Sequence, residues 1–142
     1  MGTQFKLSSK GDKQVKIKLS KIAKGLQNPK PVLKRIGIKL LIDIFLYFRQ
    51  EGQQGYGGEK WADTQFGATN ILQDTGVLRG SFTREIKRNS VEVGSPVEYS
   101  EYHQFGTDYI AARQMLPQEN RATKIANEQV VKYINELKRK KV

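Results

Sequence analysis

The sequence predicts an α+β fold: a small antiparallel sheet with a long apolar helix and a C-terminal amphipathic helix packed on it. Three observations carry this. Apolar and polar residues alternate with period two near the N-terminus and again around residues 82–94. Helix-length apolar runs occupy residues 31–50 and the stretch after Pro117. A glycine-rich stretch separates the two halves. A chain of 142 residues fits one domain, 1–142, and 37% hydrophobic against 27% charged residues suits a folded rather than a fully disordered chain.

Phe5-Lys6-Leu7-Ser8 and Val15-Lys16-Ile17-Lys18-Leu19-Ser20 each place apolar side chains on one face and Lys or Ser on the other, with Gly11-Asp12 between them as a turn. Residues 1–27 therefore read as a basic hairpin or an extended arm. Asn28-Pro29-Lys30-Pro31 is a helix-start signal, a capping side chain followed by prolines preset for the first turn. Val32, Leu33, Ile36, Leu40, Ile44 and Phe48 follow at spacings of mostly three and four. Ile38, Leu41, Ile42, Phe45 and Leu46 add apolar side chains on other faces. A helix over 31–50 that is apolar on nearly all sides is expected to be covered on several of them, as a central core helix or partly against another subunit.

Gly52, Gly55, Gly57 and Gly58 end that helix and open a loop, 52–70, that contains Trp61 and Phe66. The expectation is a segment mobile in the free protein and ordered on contact, which proteolysis before and after assembly tests. Within Leu78 to Arg88, Phe82, Arg84 and Ile86 alternate imperfectly and read as a strand. Asn89-Ser90 reads as a turn and Val91-Glu92-Val93-Gly94 as the return strand. Val97 to Phe105, closed by Gly106, fits a short helix with a glycine cap, and Ile110 to Leu116 reads as a further extended strand. Pro117 opens a last helix whose Ala122, Ile125, Ala126, Val130, Tyr133, Ile134 and Leu137 form the cleanest amphipathic pattern in the chain, followed by a basic tail at 138–142.

Charge is concentrated at the ends. Residues 1–40 carry +10, residues 41–120 carry −4 and residues 121–142 carry +5, for a net +11. Lys13, Lys16, Lys18 and Lys21, with Lys138, Arg139, Lys140 and Lys141, are the candidate surface for a polyanion such as DNA or for the acidic face of a partner; a simply solvated basic surface fits the same pattern. The contact with nucleic acid would be non-specific and salt-sensitive, because no zinc-finger, RNA-recognition or helix-turn-helix signature is present. No membrane role is expected. The N-terminus has no apolar run behind its charges, and the longest apolar stretch, 36–48, is interrupted by Lys39 and Asp43 and is shorter than the roughly 20 residues a span requires.

Little in the sequence points to catalysis. The absence of cysteine removes thiolate ligands and nucleophiles, and the single histidine, His103, has no acidic cluster at ligand spacing. Ser81 and Ser100 lie in no nucleophile motif, and the glycines at 52–58 lack a phosphate-loop ending. No cofactor and no enzymatic activity are expected.

The stretch from Ile71 to Pro117 resembles a known family. Ile-Leu-Gln-Asp-Thr-Gly-Val-Leu-Arg-Gly-Ser-Phe (71–82), Val-Glu-Val-Gly-Ser (91–95), Val-Glu-Tyr-Ser-Glu-Tyr-His-Gln-Phe-Gly (97–106) and Ile-Ala-Ala-Arg-Gln-Met-Leu-Pro (110–117) in this order are similar to the phage virion morphogenesis family of Mu-like and tail-completion proteins. Gly58-Glu59-Lys60-Trp61-Ala62 is similar to that family's Gly-x-x-Trp element. Ala111 and Gln114 stand where the family has prolines, and Met115 where it has Phe. The resemblance covers about half the chain and leaves the first forty residues unmatched. It implies a non-enzymatic tail or neck subunit in the virion, made in the host cytoplasm, forming a homo-oligomeric ring (a hexamer by resemblance) and meeting other phage tail or neck proteins. The candidate interface residues it suggests are Trp61, Asp74, Thr75, Gly76, Leu78, Arg79, Tyr99, Tyr102, His103, Gln104 and Phe105. Physically, Asp74-Thr75-Gly76 suits a side-chain-braced turn, and the aromatic group suits a buried seam between subunits or within the chain.

Overall fold

The computed structural model describes residues 3–8, 14–22, 26–52, 60–62, 77–97, 99–109 and 111–140. The elements run β1 (Gln4–Leu7), β2 (Val15–Ser20), α1 (Lys30–Gln50), α2 (Val77–Gly80), β3 (Thr83–Ile86), β4 (Ser90–Ser95), α3 (Ser100–Phe105) and α4 (Glu119–Lys140). The strands form one antiparallel sheet in the order β1-β2-β4-β3. Two local hairpins are thus joined along β2 and β4, and α1 is the excursion between them.

Register follows from the alternation. Ile17 pairs with Val93 and Leu19 with Val91, so the apolar residues of both central strands share the face against α1. That face meets Val32, Leu33, Ile36, Leu40, Ile44, Tyr47 and Phe48 of α1, and Ala122, Ile125 and Ala126 of α4 close the core. Two close approaches need glycine. A Cβ on Gly37 would sit 2.9 Å from Cδ of Arg84 and 3.3 Å from Cγ2 of Val91, so its absence lets α1 lie close on β3 and β4. A Cβ on Gly94 would collide with the Val15 carbonyl oxygen and with Lys16, which accounts physically for the glycine of the V-x-V-G stretch.

α1 starts where expected. Pro29 is its N-cap, Pro31 lies in the first turn, and Oδ1 of Asn28 accepts from the Lys30 N–H at 3.4 Å. Its end is set by Glu51 in the left-handed region at φ 58°, after which the Gly52 N–H donates to the Tyr47 carbonyl at 2.9 Å. α4 is fastened to α1 by two ion pairs. Arg35 binds Glu136 through both guanidinium nitrogens at 2.9 and 2.7 Å, and Arg121 binds Asp43 at 2.8 and 3.2 Å. The lower-numbered partner on α1 takes the higher-numbered one on α4, so the helices are antiparallel.

One expectation needs correction. Residues 111–116 form no strand; the N–H groups of Met115 and Leu116 go to the Gln104 side chain and that of Arg113 to α3 rather than to a sheet edge. The strand expected through Phe82, Arg84 and Ile86 is β3, Thr83–Ile86. Val77–Gly80 is a helical turn, closed where Ser81 donates both N–H and Oγ–H to the Leu78 carbonyl at 3.1 and 2.6 Å. The sheet and α4 cover α1 on two sides, as its apolar faces require, and one further row stays open: Ile38, Ile42 and Phe45 are 45%, 45% and 40% exposed. The mobile loop expected at 52–70 lies outside the described residues except for Gly52 and 60–62.

Candidate functional site

The motif residues first build a clasp. α3 ends at Phe105 with Gly106 at φ 77°. From its buried face Oε1 of Gln104 accepts the N–H of Met115 at 2.8 Å and of Leu116 at 3.3 Å. The Arg113 N–H donates to the His103 carbonyl at 2.6 Å, and Arg113 Nε donates to the Ala62 carbonyl at 3.0 Å. Trp61 Nε1 donates to the Gln114 carbonyl at 2.8 Å, and its N–H donates to the Glu51 carbonyl at 2.7 Å. Segments around 61, 103 and 114 are therefore held in one network, with Trp61 edge-on to Phe48 at 5.2 Å. The serines extend it: Ser81 and Ser95 hydroxyls lie 2.6 Å apart, and Ser95 Oγ accepts the Val97 N–H.

Gln104→Ala would leave two buried backbone donors without their acceptor. It is expected to destabilise the protein by about 2–4 kcal/mol, each orphaned N–H costing about 1–3 kcal/mol. A denaturant titration beside Gln104→Glu, which keeps an acceptor, reads the difference.

Each candidate interface residue now has a place. Trp61, Leu78 and Gln104 are buried within the chain. His103 and Phe105 are half-buried, Phe105 against the core. Arg79, Tyr99 and Tyr102 reach the surface, and Asp74, Thr75 and Gly76 lie outside the described residues. Among the basic candidates, Lys16 and Lys18 project from β2 onto the face turned away from α1, where Lys6 pairs across from Lys18. Lys21 follows in the left-handed region at φ 58°, Lys138 and Arg139 are exposed near the end of α4 and Lys140 is its last residue; Lys13 and Lys141 lie outside the described residues.

Two titrating groups are perturbed. Glu92, nearly buried on the outer sheet face, lies between Lys16 Nζ at 2.8 Å and Lys87 Nζ at 2.6 Å. Hydrogen bonds from Lys16, then from Lys87, hold its carboxyl below the usual range, while the bond to Glu92 raises Lys87. His103 lies edge-on to Tyr99, and its Nδ1 has no partner among the described residues. Burial, with the positive charge of Arg113, lowers its pKa. Both folded-state values lie below the unfolded ones, so both groups favour the folded state at neutral pH and lose that contribution as pH falls. The His103 contribution falls away below about pH 6.5, and that of Glu92 only below about pH 4.5. Thermal midpoints across pH should therefore show two acid steps, the upper one missing in His103→Gln and the lower in Glu92→Gln.

The outward row of α1, placed by the sequence on a separate apolar face but not among the candidate interface residues, is a further exposed surface. Ile38, Ile42 and Phe45 lie at i, i+4 and i+7 and share one face. Lys34 and Arg49, both exposed, bracket them on the same face, and Arg79 reaches over the Phe45 ring at 6.0 Å. Spacing relative to Ile36, Leu40, Ile44 and Phe48 was the available signal, because the two rows cannot face the same way. Among the described residues no group of three or more His, Cys, Asp or Glu could hold a metal ion, and no helix is long and apolar enough to cross a membrane.

The sequence model of the phage virion morphogenesis family matches residues 11–133. No curated protein and no solved structure matches the chain.

Proposed function

Because the chain belongs to the phage virion morphogenesis family, we propose that it is a tail-completion or head–tail joining subunit that acts as a ring of identical copies at the tail or neck of the particle. Family membership suggests a structural, non-enzymatic role in building the virion and contact with other virion proteins. The narrower reading is supported by one observation above all: among the described residues, α1 buries one face in the core and keeps a second apolar row exposed. Such a row is what a subunit offers to a neighbour.

The test is deletion of the gene from its phage, followed by electron microscopy of the lysate. Filled capsids and tails that fail to join, with infectivity restored when purified protein is added, are the expected result. A lysate of intact virions, or one lacking capsids altogether, would overturn the assignment.

Lys6, Lys16 and Lys18 on the outer sheet face support a second reading, a stand-alone non-specific nucleic-acid-binding protein. A protein monomeric at every concentration, with DNA affinity that falls steeply as salt rises, would favour it.

A further inference from the structure

Among the described residues, six of the seven large apolar side chains left exposed fall into two groups on different elements. One is the α1 row, Ile38, Ile42 and Phe45. The other is Tyr99, Tyr102 and Tyr109, at the N-cap of α3, within it and just after it, which are 40%, 47% and 98% exposed. α3 packs beside β2, whereas the α1 row points away from the sheet.

The two groups carry opposite charge. The α1 row is closed at its ends by Lys34 and Arg49 and approached by Arg79, and its own helix has a single acid, Asp43, buried on another face. The tyrosine group sits in a stretch, 97–112, with no Lys or Arg but with Glu98, Glu101 and Asp108. Its histidine, His103, has its pKa lowered by burial and adds no fixed positive charge at neutral pH. Tyrosines present apolar rings with a polar tip at little conformational cost, which suits insertion against an aliphatic ridge, and the flanking charges would set the register.

We propose that the α1 row of one copy receives the Tyr99–Tyr102–Tyr109 surface of the next, making a head-to-tail interface between copies of this chain. The pairing rests on the ring reading above and deepens it. Because the complementary patches lie on different elements, each added copy presents a fresh acceptor, and the series ends only by closing on itself. The row from Lys34 to Arg49 runs about 22 Å along the helix at about 1.5 Å per residue, a length comparable to one side of a standard subunit contact.

Light scattering on purified wild type, Ile42→Asp and Tyr102→Asp tests the pairing. Both substitutions fall on exposed side chains, so circular dichroism should match wild type, and melting should fall only by the stabilisation that assembly adds to wild type. Wild type should give one discrete multiple of the 16.2 kDa chain, and each variant alone should be monomeric. An equimolar mixture should give a dimer and nothing larger, because only the stripe of one variant and the tyrosines of the other remain usable. The milder Lys34→Glu/Arg49→Glu protein should associate roughly tenfold more weakly, and mixing with Asp108→Lys should recover much of that loss. Variants that assemble as wild type overturn the interface and leave the ring standing. A mixture that stays monomeric overturns the pairing of these two faces. A wild type that is monomeric throughout overturns both ring and interface, and the gene-deletion phenotype then decides the virion role separately.

Discussion

Trp61→Ala is expected to destabilise the protein by about 3–5 kcal/mol, a large part of the roughly 5–15 kcal/mol that holds a domain of this size together. The indole is 3% exposed, sits edge-on to Phe48 and donates to the Gln114 carbonyl at 2.8 Å. Truncation opens a cavity beside Phe48 and leaves that carbonyl without its donor. It also removes the side chain that ties residue 61 to the segment carrying Met115 and Leu116. Trp61→Phe separates these effects. The ring volume is largely kept and only the hydrogen bond is lost, so a loss of about 1–2 kcal/mol is expected. Urea titrations of the three proteins read both values. Equal losses for Ala and Phe would mean that the hydrogen bond, not the packing, carries the site.

This places Trp61 in a different role from the one its glycine-rich surroundings suggest. A tryptophan in such a stretch reads as an exposed contact residue, and the sequence holds no sign that it folds back onto Phe48. That packing is set by distant partners, 13 and 53 positions away, and local pattern reports only on neighbours. Elements with strong local signals were legible for the same reason. The alternation in Val15–Ser20 sets the strand's faces, and Asn28 to Pro31 marks the start of α1 within a residue. The strand reading of Ile110 to Leu116 failed over 111–116 because apolar residues in a short run fit either a strand or a segment pinned by a side chain. Here Gln104 supplies the acceptor that a neighbouring strand would have supplied.

The candidate site divides along the same line. Motifs that carry the family resemblance are mostly the internal clasp, since a fixed path for the backbone around residues 61, 104 and 114 demands particular side chains. Among the described candidate interface residues only Arg79, Tyr99 and Tyr102 are exposed. The α1 row carries no motif. Its Ile38, Ile42 and Phe45 look like core in composition, and only their phase relative to Ile36, Leu40 and Ile44 separates them. The match over residues 11–133 also takes in β2 and α1, a stretch whose lysines and aliphatic residues resembled nothing by motif. What that stretch presents physically is a pattern of faces, which is harder to recognise than a string of letters.

Breaking the Asp43–Arg121 pair should cost nearly as much as losing the tryptophan, and removing both partners should cost much less. Asp43 is 4% exposed, projects from α1, and accepts Nε and Nη2 of Arg121 as well as the Tyr47 hydroxyl at 3.2 Å. Arg121→Leu strips the carboxylate of its cation while leaving it buried, for which about 3 kcal/mol is expected; the partly open guanidinium side keeps the figure at the lower end for such pairs. Asp43→Leu combined with Arg121→Leu puts hydrocarbon in place of both charges, with only the Tyr47 hydroxyl left to find another acceptor. A loss of about 1 kcal/mol follows, so the double-mutant cycle should show coupling of about 2 kcal/mol or more. The pair then sets where α4 lies along α1 rather than how tightly the two helices hold. That placement bears on assembly, because α4 covers one side of α1 while the Ile38–Ile42–Phe45 row stays open on another. If the double variant is stable yet forms multimers of mixed size, the ion pair fixes the angle at which that row is presented. A stable double variant that assembles as wild type would show that core packing alone fixes it.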